Sequence, residues 1–296
     1  MNMQLSGRLG YCLLKALSRR SEDAAVSTGN ELHGAAKLER FLGRNVWGEF
    51  QGQRILDFGC GAGEEAVAVA LRGAAMVVGT DIQDERLAHA RQRATEAGVA
   101  DRCRFLHAVE QAGEIAACEG SFDCAYSIDA FEHFSRPGEI LRTLHQMLTP
   151  GGRLLVSFGP PWKNPFGSHT HYFCRWPWMH LLFSEATMLA VRSHYRHDGA
   201  KCYAEVEGGL NQMTLARFAS LVEASPLRLD TMRAVPLSSR FVDSRGVWKG
   251  LFTNRFLREY FTSVVQCRLV KPRRAAHVNH AVGNALRGIP VASVEP

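Results

Sequence analysis

The 296-residue sequence has no apolar run near the ~20 residues that a helical membrane span needs. Its best stretches, Ala66 to Leu71 and Leu154 to Phe158, are strand- or turn-sized, which excludes a helical membrane protein and predicts a soluble one. Eight cysteines (12, 60, 103, 118, 124, 174, 202 and 267) form no Cys-x-x-Cys pair and no tight cluster. A zinc knuckle or a disulfide framework would need one, so reduced thiols of a cytoplasmic protein are expected, several of them buried in strands. Neither internal repeats nor low-complexity segments occur. Acidic residues are missing from Met1 to Arg20, which carries Arg8, Lys15, Arg19 and Arg20. In that segment Leu5, Leu9, Cys12, Leu13 and Leu17 fall roughly on one helical face, and Lys15 interrupts the apolar run that a signal peptide requires. The expectation is a helix docked on the protein itself, with peripheral membrane contact as the alternative.

The net charge of +6 is mild for this length, but Lys249, Arg255, Arg258, Arg268, Lys271, Arg273 and Arg274 concentrate it late in the chain. A solvated basic face is expected there. Nucleic acid is not the expected partner, because no RNA-binding signature accompanies the charge.

From Gln53 to Gly159 short apolar runs alternate with amphipathic stretches. Strands are predicted at Arg54 to Phe58, Ala75 to Thr80, Arg102 to His107, Phe122 to Ile128 and Arg153 to Phe158. Helices are predicted at Glu64 to Leu71, Asp84 to Glu96 and Pro137 to Leu148, the last stopped by Pro150-Gly151-Gly152. Strands alternating with helices predict a Rossmann-like, doubly wound α/β sheet, mostly parallel and seven-stranded. After Gly159 the rhythm breaks into a stretch rich in aromatics and histidine. It returns with a helix near Thr214 to Ala224, a strand near Leu227 to Arg233, a helix near Gly246 to Tyr260 and a strand from Thr262 to Val270. The expected division is an N-terminal helical segment (1–50), a cofactor-binding core (51–159), an inserted lid that binds the acceptor (160–212), the last helices and strands of the core (213–270) and a peripheral tail (271–296).

Ile55-Leu56-Asp57-Phe58-Gly59-Cys60-Gly61-Ala62-Gly63 runs directly into a helix. Such glycines let the chain turn tightly at a strand end and let a ligand approach the backbone. Asp81 closes the next strand, where a carboxylate can bind two ribose hydroxyls. The glycines do not continue as G-x-x-G into the helix, and Glu64-Glu65 in its first turn would repel phosphate, so a dinucleotide pyrophosphate is disfavoured.

Asp57 to Gly63, Asp81, Phe122-Asp123, Glu132-His133 and Leu148-Thr149-Pro150-Gly151-Gly152 together resemble the signature set of class I S-adenosylmethionine-dependent methyltransferases. They are most similar to the small-molecule, methyltransferase type 11-like branch that includes ubiquinone-type O-methyltransferases, and the resemblance spans about Arg54 to Ser157. It implies that Asp57 helps hold the amino group of the methionine moiety. Gly59, Gly61 and Gly63 would form the floor under the cofactor, Asp81 would bind the ribose, Ile82 would pack on the adenine, and the backbone at Ser127 and Ile128 would close over the methionine end. Where the family presents an Asp to the adenine amino group this chain has Val109, and Glu110 is the candidate substitute.

Methyl transfer needs an aligned nucleophile and, for some acceptors, a base. Candidate bases belong beyond the C-terminal ends of the fourth and fifth strands. If Asp129-Ala130-Phe131-Glu132-His133 is helical, Asp129, Glu132 and His133 share a face. They would then orient His133 as a base, hold a divalent cation, or act structurally; the family's metal-site pattern has Glu where Asp129 stands. His169 and His171 are read as acceptor-pocket lining, metal ligands or lid packing. Trp162, Trp176 and Trp178 are read as a cage for a flat or greasy acceptor or as a lid core. Gly159-Pro160-Pro161-Trp162 lacks the polar first residue of the amino-methylating motif it superficially resembles. The implied activity is methylation, on oxygen, of a small and largely apolar acceptor, with S-adenosylhomocysteine as coproduct. A monomer or homodimer is expected, with RNA or protein methylation, or cofactor binding without catalysis, as the alternatives.

Overall fold

The computed structural model describes residues 4–18, 33–237, 254 and 257–273. Among the described residues the first helices are α1 (Gly7–Leu17), α2 (Gly34–Leu42) and α3 (Val46–Phe50). The core then alternates β1 (Arg54–Phe58), α4 (Glu64–Leu71), β2 (Met76–Asp81), α5 (Asp84–Glu96), β3 (Cys103–His107), α6 (Ala112–Ala116), β4 (Phe122–Ile128), α7 (Pro137–Met147) and β5 (Leu148–Phe158). The inserted stretch carries only α8 (Met179–Leu182), α9 (Glu185–Arg192) and a 3-10 turn (Tyr203–Glu205). Next come α10 (Leu215–Glu223), β6 (Arg228–Pro236), a second 3-10 turn (Arg258–Phe261) and β7 (Thr262–Val270). Most of the helix expected at Gly246 to Tyr260 lies outside the described residues.

The seven strands are ordered β3-β2-β1-β4-β5-β7-β6. All pair in parallel from β3 to β5, and β7 alone runs antiparallel to both its neighbours. Successive strand residues point to opposite faces of a sheet. Leu56, Val78, Leu106, Ala125 and Leu154 therefore join one core with α7 and α10. Ile55, Val77, Phe105, Cys124 and Leu155 join the other with α2 to α5. This two-sided burial is why each strand reads as a continuous apolar run. Helix α7 begins with Pro137 in its first turn and stops at Met147. Thr149, as the residue before Pro150, is biased to extended backbone, and β5 starts at Leu148 without a loop.

A third apolar cluster lies outside the sheet. Leu14 of α1 packs there with Phe173, Phe183, Met188 and Tyr203 of the inserted stretch. The N-terminal helix thus docks on the protein, but not by its leucine stripe. Gly10 and Leu14 are buried, whereas Leu9, Cys12 and Leu13 face outward. Among the described residues no helix is long and apolar enough to cross a membrane.

Candidate active site

Strands β1 and β4 lie side by side, and their connections leave toward opposite edges of the sheet, which opens a crevice at their C-terminal ends. The turn after β1 enters it with Gly59, Gly61 and Gly63 at φ of +85°, +52° and +77°. The Gly59 and Cys60 amides donate to the Thr80 carbonyl at 2.9 and 3.0 Å. Asp81 accepts from the Gly61 amide at 2.9 Å with one oxygen, and from Ile82 and Gln83 at 2.8 and 3.0 Å with the other. The turn and the strand-end carboxylate are in direct contact.

The three glycines are not equivalent. A side chain at Gly59 would meet only Ala130, and at Gly61 only the tip of Arg86, both at 3.5 Å. At Gly63 it would stand 2.7 Å from the Ala90 methyl and 3.2 Å from the Phe105 ring. Gly63 is closed off by α5, and its smallness lets that helix pack. On the loops after β2 and β3, Ile82 and Val109 are 66% and 70% exposed, an unusual pair of apolar side chains without cover. Glu110 is drawn toward Asp84 and His107, their ligand atoms lying within 4.8 Å of one another. His107 has both nitrogens committed, Nε2 donating to the Ile82 carbonyl at 2.9 Å and Nδ1 accepting from the Glu110 amide at 3.1 Å.

Deeper in the crevice the side chains are acidic. Asp57 is buried and accepts from the Tyr126 hydroxyl at 2.8 Å. Burial, reinforced by nearby Glu65, pushes its carboxyl well above the usual range. Glu65, held by the Gly34 amide at 2.9 Å, is also raised by burial. Lys37 of α2 partly offsets this negative charge and lies 3.9 Å from Asp129. Ser127 and Ile128 end β4, both buried, and the hydroxyls of Ser127 and Ser157 have no partner. An open glycine turn, uncovered apolar flanks and buried acids short of cations fit an adenosyl group carrying a sulfonium and an ammonium.

The segment Asp129 to His133 is a turn, not the helix on which a shared face depended. Asp129 takes a left-handed backbone, φ 57°, which breaks the helical register at its first residue. Its three candidate groups then diverge. Asp129 points to Lys37. Glu132 turns inward, accepts from the Gly159 amide at 3.1 Å and leaves its second oxygen buried without a partner. Burial, with Asp129 adding, pushes Glu132 up to about 8. His133 donates from Nδ1 to the Gly209 carbonyl at 2.6 Å. Their ligand atoms are not gathered within the 4.8 Å that marks the Asp84 group, so the metal reading of this triplet loses its geometry.

The ring of His133 stands edge-on to His169, centroids 5.6 Å apart. Burial, with His133 adding, pushes His169 down to about 4, and its Nε2 has no partner. His171 is exposed. A cavity of about 690 Å³ opens in the inserted stretch among Trp162, Trp178, His180, Glu185 and Tyr203. A second, about 390 Å³, reaches back to His133, Asn211 and Arg217 and shares Glu185 and Gln212 with the first. Adjoining at those two residues, the cavities define a chamber in the inserted stretch that His133 borders from the turn after β4. Trp162 packs edge-on against His180 and Tyr203, at 4.7 and 4.8 Å, and the Tyr203 hydroxyl is buried without a partner. Trp176 is exposed and lines neither cavity, so the expected three-tryptophan cage reduces to Trp162 and Trp178. Nothing in the sequence singled out His180, Glu185, Tyr203 or Gln212; beyond residue type, no signal marked them. Gly159 has a structural cause, since a side chain there would collide with the Ser263 carbonyl of β7.

Of the expected basic face, Arg258, Arg268, Lys271 and Arg273 are among the described residues. Arg268 pairs with Glu49 and Asp230, Arg258 is buried, and Lys271 donates to the Leu148 carbonyl. Lys271 and Arg273 sit at the start of β5, the end of the sheet away from the crevice. Lys249, Arg255 and Arg274 lie outside the described residues.

Residues 55–152 match the family described as methyltransferase domain. A 27-O-demethylrifamycin SV methyltransferase of Amycolatopsis mediterranei is 36% identical over 105 residues, 36% of this chain and 38% of that protein. A ubiquinone biosynthesis O-methyltransferase of Pseudomonas aeruginosa is 37% identical over 106 residues, 36% of this chain and 44% of that protein. The chain therefore spans less than half the length of these curated relatives. The solved S-adenosylmethionine-dependent methyltransferase of Mesorhizobium loti is 20% identical, with 75% of this chain and 92% of that one covered and a TM-score of 0.47. Over residues 55–152 the chain thus carries a methyltransferase domain.

Proposed function

We propose that this chain transfers a methyl group from S-adenosylmethionine to an oxygen of a small, largely apolar acceptor held in the chamber, releasing S-adenosylhomocysteine. The observation that carries the reading is the Asp81 carboxylate seated on the Gly61 amide beside an open turn, above buried acids short of cations. The cofactor supplies an electrophilic methyl on a sulfonium, and the chain supplies placement. Asp81 exchanges backbone donors for ribose hydroxyls. Ile82 covers the adenine, and Glu110 is the candidate acceptor for its amino group. Asp57 and the backbone at Ser127 and Ile128 hold the methionine end.

On the acceptor side His133 is the candidate base. The Gly209 carbonyl can only accept, so the neutral ring carries its proton on Nδ1 and its lone pair on Nε2. Glu132, neutral near pH 7, positions the Gly159 amide rather than abstracting a proton, and Asp129 balances Lys37. Trp162, which lines the larger cavity, suits acceptor contact better than the exposed His171 and Trp176, while His169 stands against the His133 ring. The inserted stretch 160–212 acts as the acceptor-binding lid.

Calorimetry with S-adenosylmethionine, followed by a coproduct-release assay against phenols and hydroxylated metabolites, tests the reading. Binding that disappears in Asp81→Ala, and turnover that drops ~10²–10⁴-fold in His133→Ala with cofactor affinity unchanged, are expected. No binding at millimolar cofactor would overturn the proposal; unchanged turnover in His133→Ala would remove the base.

A further inference from the structure

We propose that the outward face of α1, together with the neighbouring exposed part of the inserted stretch, docks on an anionic lipid bilayer. The helix is fixed from beneath by Gly10 and Leu14. Its entry is pinned by Leu5, whose amide donates to the Leu182 carbonyl at 2.8 Å and whose carbonyl accepts from Ser184 at 2.9 Å. A docked amphipathic helix should show polar side chains outward, and this one does not. At 100° per residue Leu9, Cys12, Leu13 and Ala16 form one solvent-facing strip, with Leu9 77% exposed. Arg8 and Lys15 edge that strip, both exposed. Leu5 and Leu182 extend the apolar surface across the pinned junction, and Arg175-Trp176-Pro177 stands exposed in the same inserted stretch. Five of the eight large hydrophobic side chains exposed among the described residues belong to these two segments.

The charge identifies the occupant. No acidic residue occurs from Met1 to Arg20, against four basic ones. An apolar strip with a cationic edge matches the layering of acyl chain and anionic headgroup. A second copy of the chain fits less well. A two-fold contact would set this face against itself, bringing Arg8 and Lys15 toward their own mates with no acid on the helix to answer them. Leu182 also lines the chamber, together with Gln4 and Leu181. If the proposed transfer reading holds, the acceptor enters from the membrane side.

Co-sedimentation of the full chain with vesicles decides the matter. With equal parts phosphatidylcholine and phosphatidylglycerol the chain should bind. Arg8→Gln/Lys15→Gln should lose about fivefold per charge removed, and raised salt should weaken wild-type binding. Leu9→Glu/Leu13→Glu should lose at least tenfold, with Tm and calorimetric cofactor affinity unchanged. Those controls separate failure of docking from failure of the cofactor site. Absence of vesicle binding, equal binding by the leucine variant, or self-association that the variant abolishes while vesicle binding stays as in wild type would each overturn the proposal.

Discussion

Glu132 sits against the Gly159 amide with one oxygen unpaired, and burial holds its carboxyl near 8 instead of the ordinary 4.5. A carboxyl raised in the folded state binds its proton more tightly there than in the unfolded chain. Its favourable contribution is complete below about 4.5 and is lost as pH rises through about 8. Ligand-free protein should therefore melt at a falling temperature across that window. Glu132→Gln, which cannot ionise, should match wild type at pH 5 and exceed it by several degrees at pH 9, at about 2–4 °C per kcal/mol for a chain of this size. Parallel melting curves for the two proteins would show that the group is not buried as described. The glycines separate in the same way. Gly63→Ala meets the Ala90 methyl at a positive φ and should cost about 2–4 kcal/mol of stability. Gly61→Ala has room, so it should cost about 1 kcal/mol of stability and instead weaken S-adenosylmethionine binding more than tenfold in calorimetry.

Among the elements, the β4 turn is tied to the inserted stretch by Asn211 as well as by His133 on the Gly209 carbonyl. Asn211 donates to the Phe131 and Phe134 carbonyls at 2.7 and 2.8 Å, while its amide donates to the Glu132 carbonyl at 2.9 Å. This clamp fixes the turn carrying His133 against Gly209. Asn211→Ala should lower kcat ten- to hundredfold with little change in cofactor affinity, in steady-state kinetics beside calorimetry. The sheet was readable in the sequence because Ile55 and Leu56, or Val77 and Val78, must both be apolar when each faces a different core. The turn at Asp129 was not, because a spacing of three and four suggests a helix whether or not the first residue adopts helical backbone. The stripe of α1 misled for a related reason. Which side is buried is set by the close approach of Gly10 to Leu5 and by Leu14, not by the number of leucines. The chamber joins positions 133, 180, 203 and 212, too far apart in sequence for any local pattern to connect them. Asp129, His169, Trp178 and Gln212, the non-glycine residues with left-handed backbone among those described, all belong to this region. Their strain is stored where propensity says least.

At the scale of the whole molecule, two cores sandwich the sheet, and a third holds α1, α8 and α9 apart from it. The inserted stretch that carries the third core is tied to the rest of the molecule by hydrogen bonds such as Asn164 donating to the Thr262 carbonyl at 2.6 Å and the Trp162 amide donating to that of Met213 at 2.7 Å. A cluster so attached should open on its own at lower free energy than the strands. The proposed cofactor site is built from loops of the sheet and touches none of this cluster, so saturating S-adenosylmethionine should slow amide exchange in β1 and β4 and leave α9 as it was. Leu14→Ala should have the reciprocal effect. Removing a fully buried leucine costs about 2–5 kcal/mol, enough to speed exchange in α9 at least tenfold while β4 keeps its wild-type protection. Equal acceleration in β4 would mean that the third core and the sheet unfold as one unit, and that an acceptor lid cannot move without loosening the cofactor site beneath it.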